Sequence, residues 1–331
     1  MRGLKSPNPL IFVILFLMIS IFTIRVYADP DVQVTVSTNK QTYSSGELVN
    51  IYGDLKRDGT PVTNALIAIQ INDAQNNKVS IRTRSTGTTP SAWSIDITGL
   101  ISCDASGNPK NTFKKGPLAL AYFKVTVKNL NTVSERYVTV TINLYDSNQT
   151  SFGIAWVGTT VGPNKEFTYL TSIPIPSEAS TGAAYAFANA YNNWPEENGI
   201  AYCGEKDVAF TITDGTTSSS SSSSASPSST SQAGTYNLTF RLRSKSPLGD
   251  HTVYASYYQT LATTKFDVVW LLTDIDRNGK VDILDIAIAA KAYGSYPGHP
   301  RWNPKADLDG NNKIDILDIA KVAKDYGKTR T

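Results

Sequence analysis

The sequence predicts a mainly β protein that ends in a small duplicated segment with helical character, and three observations support this prediction. Apolar and polar side chains alternate with a two-residue period in short runs through residues 31–268, as in the run from Phe123 to Lys128. Gly, Pro, Asn and Asp separate the alternating runs, which is typical of antiparallel sandwiches with one solvated face per sheet. The C-terminal part instead contains an element repeated every 33 residues, and each copy continues into an apolar run of helical length.

Composition and charge exclude several classes of partner. The chain has 331 residues, of which 40% are hydrophobic and 18% charged, a length that suits two or three domains. Lys and Arg number 31 against 28 Asp and Glu, but Arg2, Lys5 and Arg25 stand in an N-terminal stretch without acids. The remainder is therefore balanced in charge. It gives no electrostatic reason to expect nucleic acid or an anionic membrane as partner.

The N-terminus has the pattern of a secretory signal peptide. Arg2 and Lys5 precede an apolar run over 10–24, and Val26-Tyr27-Ala28 supplies apolar or small residues at the −3 and −1 positions. We expect residues 1–28 to be a signal peptide, and the protein to be secreted to an extracellular or cell-surface location. The alternative is a membrane anchor, but a helix of that run spans about 22 Å of a hydrocarbon layer of ~30 Å. We therefore expect no membrane span after cleavage.

Two separated parts of the sequence resemble one immunoglobulin-type domain. The segment 39–53, with its Gly46-Glu47 turn, resembles the opening strands of macroglobulin-like immunoglobulin-type domains. The closing strands of such a domain stand far away, within 234–268, where Pro247-Leu248-Gly249 supplies the turn. We therefore assign 31–87 together with 234–268 to one outer immunoglobulin-like sandwich.

The stretch between these two parts is long enough for a sandwich of its own. Residues 95–213 hold roughly seven strand candidates, and we expect them to form a second immunoglobulin-like sandwich inserted into a loop of the first. The alternative is two consecutive sandwiches, at about 31–140 and 144–268. A disulfide between Cys103 and Cys203 is expected and favours the nested order, since a secreted chain with two thiols usually oxidises them.

A Ser-rich linker is expected at 216–233, because this stretch has almost no apolar side chains to bury. In the nested order it returns the chain from the inserted sandwich, and an O-glycosylated stalk is the other use that its composition allows. Asn148 and Asn237 begin Asn-x-Thr sequons, which are the acceptor sites expected of a secreted glycoprotein.

The duplicated C-terminal element has the residue spacing of a calcium-binding loop. Residues 274–294 and 307–327 are identical at fourteen of 21 aligned positions. Oxygen-bearing side chains stand at loop positions 1, 3, 5, 9 and 12, with position 9 acting through water, and position 7 supplies a backbone carbonyl. This donor set suits Ca²⁺, and we expect two ions. The expected ligands are Asp274, Asp276, Asn278, Lys280 (carbonyl), Asp282 and Asp285 in the first loop, and Asp307, Asp309, Asn311, Lys313 (carbonyl), Asp315 and Asp318 in the second.

Position 6 of each loop needs a residue that accepts a positive φ. Gly279 stands there in the first loop, and Asn312, the non-glycine residue that tolerates this conformation best, stands there in the second. We therefore expect the second site to be slightly strained but occupied.

The two loops resemble those of a dockerin domain. Asp285 and Asp318 stand at position 12, where an EF-hand has Glu, and the chain before the first loop is predicted to be a strand rather than an entering helix. A loop followed by a helix, twice, with a Tyr-Gly end, resembles the dockerin domain over residues 271–328. The resemblance implies calcium-dependent docking to a cohesin-type domain, typically in extracellular assemblies that degrade polysaccharides.

The same resemblance implies which residues contact the partner. The family's contact positions are loop positions 10 and 11, which here are Ile283-Leu284 and Ile316-Leu317. The helix predicted from Ile283 to Tyr293 is apolar on nearly every side, so it is either buried or a docking surface. Packing of this helix against a sandwich is the alternative to docking. Because the repeats are nearly identical, either helix is able to lead the docking.

The residue pattern indicates no catalytic site. His251 and His299 lie outside any zinc-protease or nucleophile-elbow pattern, and we expect both at the surface. Glu196-Glu197 beside Trp194 does not make a glycosidase pair, because adjacent residues in a turn point apart. We therefore expect the protein not to be an enzyme.

These observations predict a secreted, non-catalytic adaptor or scaffold that docks to a cohesin-type partner through a calcium-loaded tail, in polysaccharide degradation or cell-surface assembly. The alternative is a carbohydrate-binding or adhesive cell-surface protein whose tail is only a structural calcium module. Trp93, Trp156 and Trp194 bear on this alternative, because they either line a sugar-stacking surface or belong to a core. A hydrolase with an unfamiliar site is a third and less favoured class.

Overall fold

The computed structural model describes residues 31–215 and 232–329. The predicted signal peptide at 1–28 and nearly all of the predicted Ser-rich linker at 216–233 lie outside the described residues. Within the described ranges, none of the helices combines the length and the apolar character that a membrane span requires.

Strands dominate the described residues, which confirms the predicted mainly β class. The strands are β1 (Val32–Val34), β2 (Ser37–Thr38), β3 (Thr42–Ser44), β4 (Leu48–Arg57), β5 (Thr60–Pro61), β6 (Leu66–Asn72), β7 (Lys78–Ser85), β8 (Ile95–Cys103), β9 (Thr112–Lys114), β10 (Leu120–Asn129), β11 (Arg136–Tyr145), β12 (Ser151–Val161), β13 (Glu166–Pro174), β14 (Gly182–Tyr191), β15 (Lys206–Thr213), β16 (Thr235–Arg241), β17 (Gly249–Tyr257) and β18 (Thr260–Val269). The helical elements of the described residues are a 3₁₀ turn at Pro195–Glu197 and two α-helices, α1 (Ile283–Ala292) and α2 (Ile316–Lys324). Both α-helices fall in the duplicated segment, as the sequence predicts.

Two sheets combine strands from both sides of the 95–213 segment. In one sheet β4 lies between β1 and β16 and also pairs with β2 and β5, and the other sheet has the order β3-β18-β17-β6-β7. β16 runs antiparallel to β4, and β17 runs antiparallel to β6. The two sheets share one core, which includes the fully buried Ile69, Phe240 and Phe266. This is the strand pairing that the nested order requires, and the domain boundaries themselves stay a prediction.

The 95–213 segment forms two further sheets with a core of their own. One has the order β13-β10-β8, and the other has the order β12-β11-β14-β15-β9. Alternate residues of β10 and β11 face inward, so Phe123 and Val140 are fully buried. The rings of Phe113 and Phe210 close the same core with centroids 5.9 Å apart.

β6 has no solvated face, contrary to the alternation expected from the sequence. All seven residues of Leu66–Asn72 are buried. Ile67 and Ile69 point into the core between the first two sheets, whereas Leu66 packs with Tyr191 of the 95–213 segment. The expected solvated face is missing here because the second pair of sheets covers it.

β7 is the last strand of its sheet, and side chains of the 95–213 segment bond to its free edge. The Asn143 side chain accepts a hydrogen bond from the Ile81 N–H at 2.8 Å and donates one to the Ile81 carbonyl at 2.7 Å. The Ser151 hydroxyl donates to the Val79 carbonyl at 2.7 Å. These bonds satisfy backbone groups that an edge strand otherwise leaves open for pairing with another chain.

Cys103 and Cys203 are free, buried thiols, so the predicted disulfide is not formed. Cys103 ends β8, whereas Cys203 hydrogen-bonds to the backbone at Ile97, near the start of the same strand. At ~3.3 Å per residue, the strand between them spans about 20 Å, far more than the ~7 Å Cα separation that a disulfide allows. The disulfide therefore gives no support to the nested order. Burial raises the pKa of Cys203 to about 12, as expected of an unreactive core thiol.

His251 is fully buried, so its predicted surface position is wrong. The alternation of β17 places it on the core side, two residues before the buried Val253. Its ring stacks on Phe266 with centroids 5.2 Å apart, and Nδ1 lies 3.1 Å from the Gly249 carbonyl. Burial lowers the pKa of this imidazole. His299 is half-buried in the connector between the two repeats.

Candidate calcium sites

The two α-helices and the loops before them form a small core of their own. Its centre consists of the fully buried Val281, Ala289, Ile314 and Val322. Val281 and Ile314 are the residues at position 8 of the two loops. Each loop is therefore anchored by one apolar side chain that lies in sequence between its ligand positions.

The first loop brings three carboxylates together. One oxygen from each of Asp274, Asp276 and Asp285 lies within 4.8 Å of the others. Asp285, in the first turn of α1, is fully buried and accepts backbone hydrogen bonds from Ile275 at 2.7 Å and from Asp282 at 2.9 Å. The residue that closes the loop is thus fixed both to the start of the loop and to the start of the helix.

Backbone N–H groups hold the other side chains of the first loop. Asp274 accepts hydrogen bonds from Asn278 at 3.1 Å and from Gly279 at 2.9 Å, and Asp276 accepts one from Asn278 at 3.0 Å. The Asn278 side-chain oxygen accepts from Lys280 at 2.9 Å. These bonds curve the backbone around the side chains at positions 1, 3 and 5.

The second loop repeats this geometry. Asp307, Asp309 and Asp318 each place one oxygen within 4.8 Å of the others. Asp318 is fully buried and accepts backbone hydrogen bonds from Leu308 and Asp315, both at 2.8 Å. These lengths agree with those of the first loop to within 0.1 Å.

Asp282 and Asp315 do not join the carboxylate clusters. Each is the N-cap of its helix and accepts a hydrogen bond from the backbone N–H two residues further on, at 2.8 and 2.9 Å. Asp285 and Asp318 complete a capping box at each helix start. The water-mediated role predicted for Asp282 and Asp315, and the carbonyl ligands predicted at Lys280 and Lys313, stay predictions.

The charge of the clusters fits a hard cation. Among the described residues, no Lys or Arg ion pair involves the clustered carboxylates of either loop. Burial, together with the charge of Asp285, raises the pKa of Asp274, so the first cluster resists carrying several negative charges at once. Carboxylate and amide oxygens are the ligands that Ca²⁺ prefers, and one calcium ion would offset two of the three carboxylate charges in a cluster. The residues of both loops therefore fit Ca²⁺.

Two positions of each loop, rather than one, have a left-handed backbone. At position 6, where the sequence predicts a positive φ, Gly279 has φ 91° and Asn312 has φ 64°. At position 4, Arg277 has φ 62° and Gly310 has φ 71°. Each loop thus has one glycine and one non-glycine residue in this conformation, in opposite order. Sequence reasoning missed position 4, although Gly310 was a signal for it.

Each loop is bonded to the end of the other repeat. Val281 of the first loop donates to the Lys328 carbonyl and accepts from the Gly327 N–H, both at 2.8 Å. Ile314 of the second loop forms the equivalent pair with residues 294–295, at 2.8 and 3.0 Å. The Tyr-Gly end of one repeat therefore completes the loop of the other, so the two loops form one unit.

The four residues implied as partner contacts are exposed. Their exposed fractions are 62% for Ile283, 54% for Leu284, 62% for Ile316 and 58% for Leu317. They begin α1 and α2, directly after the capping residues. Burial of these four side chains against a sandwich, which was the alternative, does not occur, and their role in docking stays a prediction.

The solvent-facing residues of the two helices are identical. They are Ile283, Leu284, Ala287, Ala290 and Lys291 in α1, and Ile316, Leu317, Ala320, Ala323 and Lys324 in α2. Over 283–292 and 316–325 the repeats differ only at buried or half-buried positions, which are Ile288, Ala289 and Ala292 in the first repeat and Lys321, Val322 and Asp325 in the second. The two helices therefore present the same side chains to solvent twice.

Comparison with known families agrees with this geometry. Residues 272–325 match the family of type I dockerin domains. The C-terminal segment is therefore a dockerin-like calcium-loop domain, a class of module that binds calcium and docks to cohesins. No curated protein matches the chain significantly.

Solved structures resemble parts of the chain at low similarity. The C-terminal domain of wzt matches with a TM-score of 0.31 and 10% identity, over 39% of this chain and 87% of that one. A CARDB domain from Pyrococcus furiosus, in complex with di-metal ions, matches with a TM-score of 0.25 and 16% identity, over 38% and 95%. A β-glucuronidase from Bacteroides uniformis matches with a TM-score of 0.28 and 9% identity, over 52% and 27%. Because these TM-scores lie below 0.5, they carry no argument about function.

Proposed function

We propose that this protein is a secreted, non-catalytic adaptor whose dockerin-like domain docks to a cohesin-type partner in a calcium-dependent manner. In this role it displays its sandwiches in a cell-surface or polysaccharide-degrading assembly. The observation that carries the proposal is the exposed Ile-Leu pair directly before the fully buried carboxylate that closes each cluster, Asp285 or Asp318. Ile283 and Leu284 occupy the same helical turn as Asp285, so the metal-binding residues and the partner surface share one turn of α1.

The proposal includes two Ca²⁺ ions per chain, one in each loop. Asp285 and Asp318 would each hold an ion while bonded to the backbone of the loop and to the cap of the helix. Bound calcium would offset two of the three negative charges that cluster in each loop. Without this partial neutralisation we expect the first turn of each helix to lose order, and the Ile-Leu pair to lose its orientation.

The exposed residues of α1 suit binding in a groove of the partner. Ile283, Ala287 and Ala290 lie three or four residues apart and therefore form one stripe on α1. The small alanines allow a partner surface to approach the helix closely beyond the apolar pair. Lys291 ends the stripe with a positive charge, which favours an acidic group at that end of the partner. Because α2 repeats this stripe, we propose that either helix is able to lead the docking.

The non-catalytic part of the proposal is supported by the hydrogen bonds and the ion pair of Glu196, an acidic residue near Trp194. Glu196 bonds to Lys78 at 2.9 Å and to Asn72 at 2.7 Å. Burial alone would raise the pKa of the Glu196 carboxyl, but these hydrogen bonds lower it. Its neighbour Glu197 is exposed. A carboxylate that stays ionised in an ion pair does not supply a proton as the acid of a glycosidase does.

The alternative is that the dockerin-like domain is only a structural calcium module. The two functions differ in what happens when the exposed apolar pairs become acidic. We therefore propose the double variant Ile283→Asp/Leu284→Asp, the equivalent Ile316→Asp/Leu317→Asp, and the combination of both.

The test is binding of these full-length proteins to a panel of immobilised type I cohesin domains, with calcium and with EDTA. Wild-type protein is expected to bind at least one cohesin domain in calcium only. The combined variant is expected to bind it at least 100-fold more weakly, and each helix variant alone to have a smaller effect. Leu118→Asp is the matched control, because Leu118 is 98% exposed and lies in the β9–β10 loop.

Calcium content separates docking from stability. We expect the combined variant to retain its calcium, as measured by titration calorimetry. Loss of calcium together with binding would make the four residues part of the metal-binding core. Cohesin binding that is unchanged in the combined variant, or that is absent in the wild type, would favour the structural calcium module.

A further inference from the structure

An exposed aromatic surface lies on one face of β11 and β12. Trp156 stands opposite Thr141 and Tyr137 opposite Thr160, and Tyr137 and Thr141 share a face of β11, so both rings project from the same side. Trp156 is 54% exposed and Tyr137 is 51% exposed. Gly158 lies between them on β12, and a Cβ there would be 2.2 Å from the Tyr137 hydroxyl oxygen. The Tyr137 side chain therefore crosses β12 two residues from Trp156.

The orientation of Trp156 is set by its neighbours. The Trp194 ring meets it nearly at a right angle, with an interplanar angle of 85° and centroids 5.1 Å apart. Trp194 is in turn covered by the Lys78 ammonium group, 4.5 Å from its ring centre, and Lys78 is paired with Glu196 at 2.9 Å. The Tyr169 hydroxyl donates to the Trp156 carbonyl at 3.3 Å. An indole held in this way loses little conformational entropy when it binds a ligand.

The surroundings of the two rings favour a small, uncharged and hydroxyl-rich ligand. On this face Gly158 and Thr160 are exposed, whereas Thr139 and Thr141 are buried beneath the rings' side of the sheet. The nearby charges of Lys78 and Glu196 are paired with each other. Two half-exposed aromatic side chains offer on the order of 200 Å², well below the ~800 Å² per partner of a stable protein interface. A neutral sugar ring fits such a surface, because its C–H face stacks on an aromatic ring while its hydroxyl groups bond at the edge.

We propose that Trp156 and Tyr137 bind a neutral oligosaccharide by stacking, with Gly158 providing the space in which the Tyr137 ring lies. This site goes beyond docking, since its residues lie in the 95–213 segment and not in the dockerin-like domain. It gives the displayed part of the protein an activity of its own, which is to hold the assembly against a neutral polysaccharide.

The test is titration of the full-length protein with cellohexaose, xylohexaose and mannohexaose, followed by calorimetry and by tryptophan fluorescence. At least one of the three is expected to bind and to change the fluorescence. Trp156→Ala and Tyr137→Ala are each expected to weaken this binding at least tenfold. Tyr258→Ala, which removes a 63% exposed tyrosine between β17 and β18, is the matched control and is expected to have no effect.

Gly158→Ala tests the geometry without removing either ring, because the added methyl group displaces Tyr137; we expect it to weaken binding as well. EDTA is expected to leave sugar binding unchanged, so failure of cohesin docking and failure of this site are distinguishable. The proposal is overturned if none of the three sugars binds at millimolar concentration, or if the Trp156 and Tyr137 variants bind as the wild type does. Self-association that Trp156→Ala abolishes, without sugar binding, would also overturn it in favour of a dimer contact.

Discussion

Arg82 of β7 and Glu205, which precedes β15, form a bidentate ion pair with N–O distances of 2.5 and 2.6 Å. Arg84 adds a third bond to the same carboxylate at 2.8 Å, and the Arg82 guanidinium lies 3.4 Å from the centre of the Phe187 ring. Burial alone would raise the pKa of Glu205, but the charges of Arg82 and Arg84 lower it to about 2. β7 is the edge strand of the β3-β18-β17-β6-β7 sheet, whereas Glu205 lies in the 95–213 segment. The ion pair therefore joins the first pair of sheets to the pair formed by the 95–213 segment.

Glu205→Gln is expected to destabilise the protein by about 3–5 kcal/mol, because it leaves two guanidinium groups in the interface without their carboxylate. Urea unfolding followed by tryptophan fluorescence measures this loss. The control is Asp250→Asn, which breaks the pair with Lys265, where both side chains are more than 60% exposed. It should change the free energy of unfolding by less than about 1 kcal/mol. Similar small effects of the two variants would mean that the Glu205 pair does not hold the two parts together.

The reciprocal bonds between the two loops predict coupled calcium sites. Asp285→Asn removes a carboxylate of the first loop and weakens the cap of α1. Since residues 294–295, after α1, bond to Ile314, we expect the second loop to bind calcium about tenfold more weakly as well. Calorimetric titration of this variant reports the remaining site, and Asp250→Asn again serves as the control. An unchanged affinity at the second loop would show that the loops act independently.

The two left-handed positions of each loop predict that alanine at the glycines lowers stability and that glycine at the non-glycine residues raises it. Gly279→Ala and Gly310→Ala should each destabilise the calcium-loaded domain by about 1 kcal/mol. No atom lies within 4 Å of the position that a Cβ would take at either glycine, so the cost is conformational and not a clash. Arg277→Gly is expected to stabilise the domain by up to about 1 kcal/mol, and Asn312→Gly by less, because Asn tolerates a positive φ. Thermal unfolding in saturating calcium measures all four, and a gain of stability from either alanine variant would contradict this explanation.

The calcium loops could be predicted from the sequence because their geometry is local. Asp274 and Asp285 are eleven residues apart in one loop, and the bonds that position them come from backbone groups of that same loop. Spacing alone therefore identified the carboxylates that cluster in each loop, and their role as calcium ligands stays a prediction. The N-cap role of Asp282 is local too, but a ligand and a cap have the same signature, Asp before a helix.

The positions of residues between sheets could not be predicted, because they depend on which surfaces meet. Alternation in β6 correctly predicted a strand, but the burial of Leu66 depends on a second pair of sheets that no local pattern reveals. The sequence likewise showed two cysteines in a chain expected to be secreted, but not that Cys103 and Cys203 stand near opposite ends of β8. A tryptophan such as Trp156 is equally typical of a core and of a binding surface, so the sequence did not distinguish these positions. Its exposure on β12 does.

His251 predicts a dependence of stability on acid pH. Burial lowers its pKa, while the contact with the Gly249 carbonyl and the charges of Asp73, Asp267 and Asp250 act in the opposite direction. Nε2 has no hydrogen-bond partner among the described residues. The folded state therefore keeps the imidazole neutral at pH values where the unfolded chain, with its ordinary pKa of about 6.5, takes up a proton. Stability is expected to fall as the pH decreases from about 6.5 towards the folded-state pKa, by at most ~1.4 kcal/mol per pH unit.

His251→Phe keeps a ring against Phe266 and removes the titrating group, so we expect its stability to vary less between pH 7 and pH 5 than that of the wild type. Urea unfolding midpoints at several pH values, in saturating calcium, measure the difference. The variant loses only the contact of Nδ1 with the Gly249 carbonyl, so its stability at pH 7 should remain close to that of the wild type. If both proteins lose stability with the same slope, other groups titrate in this range and His251 does not control the dependence.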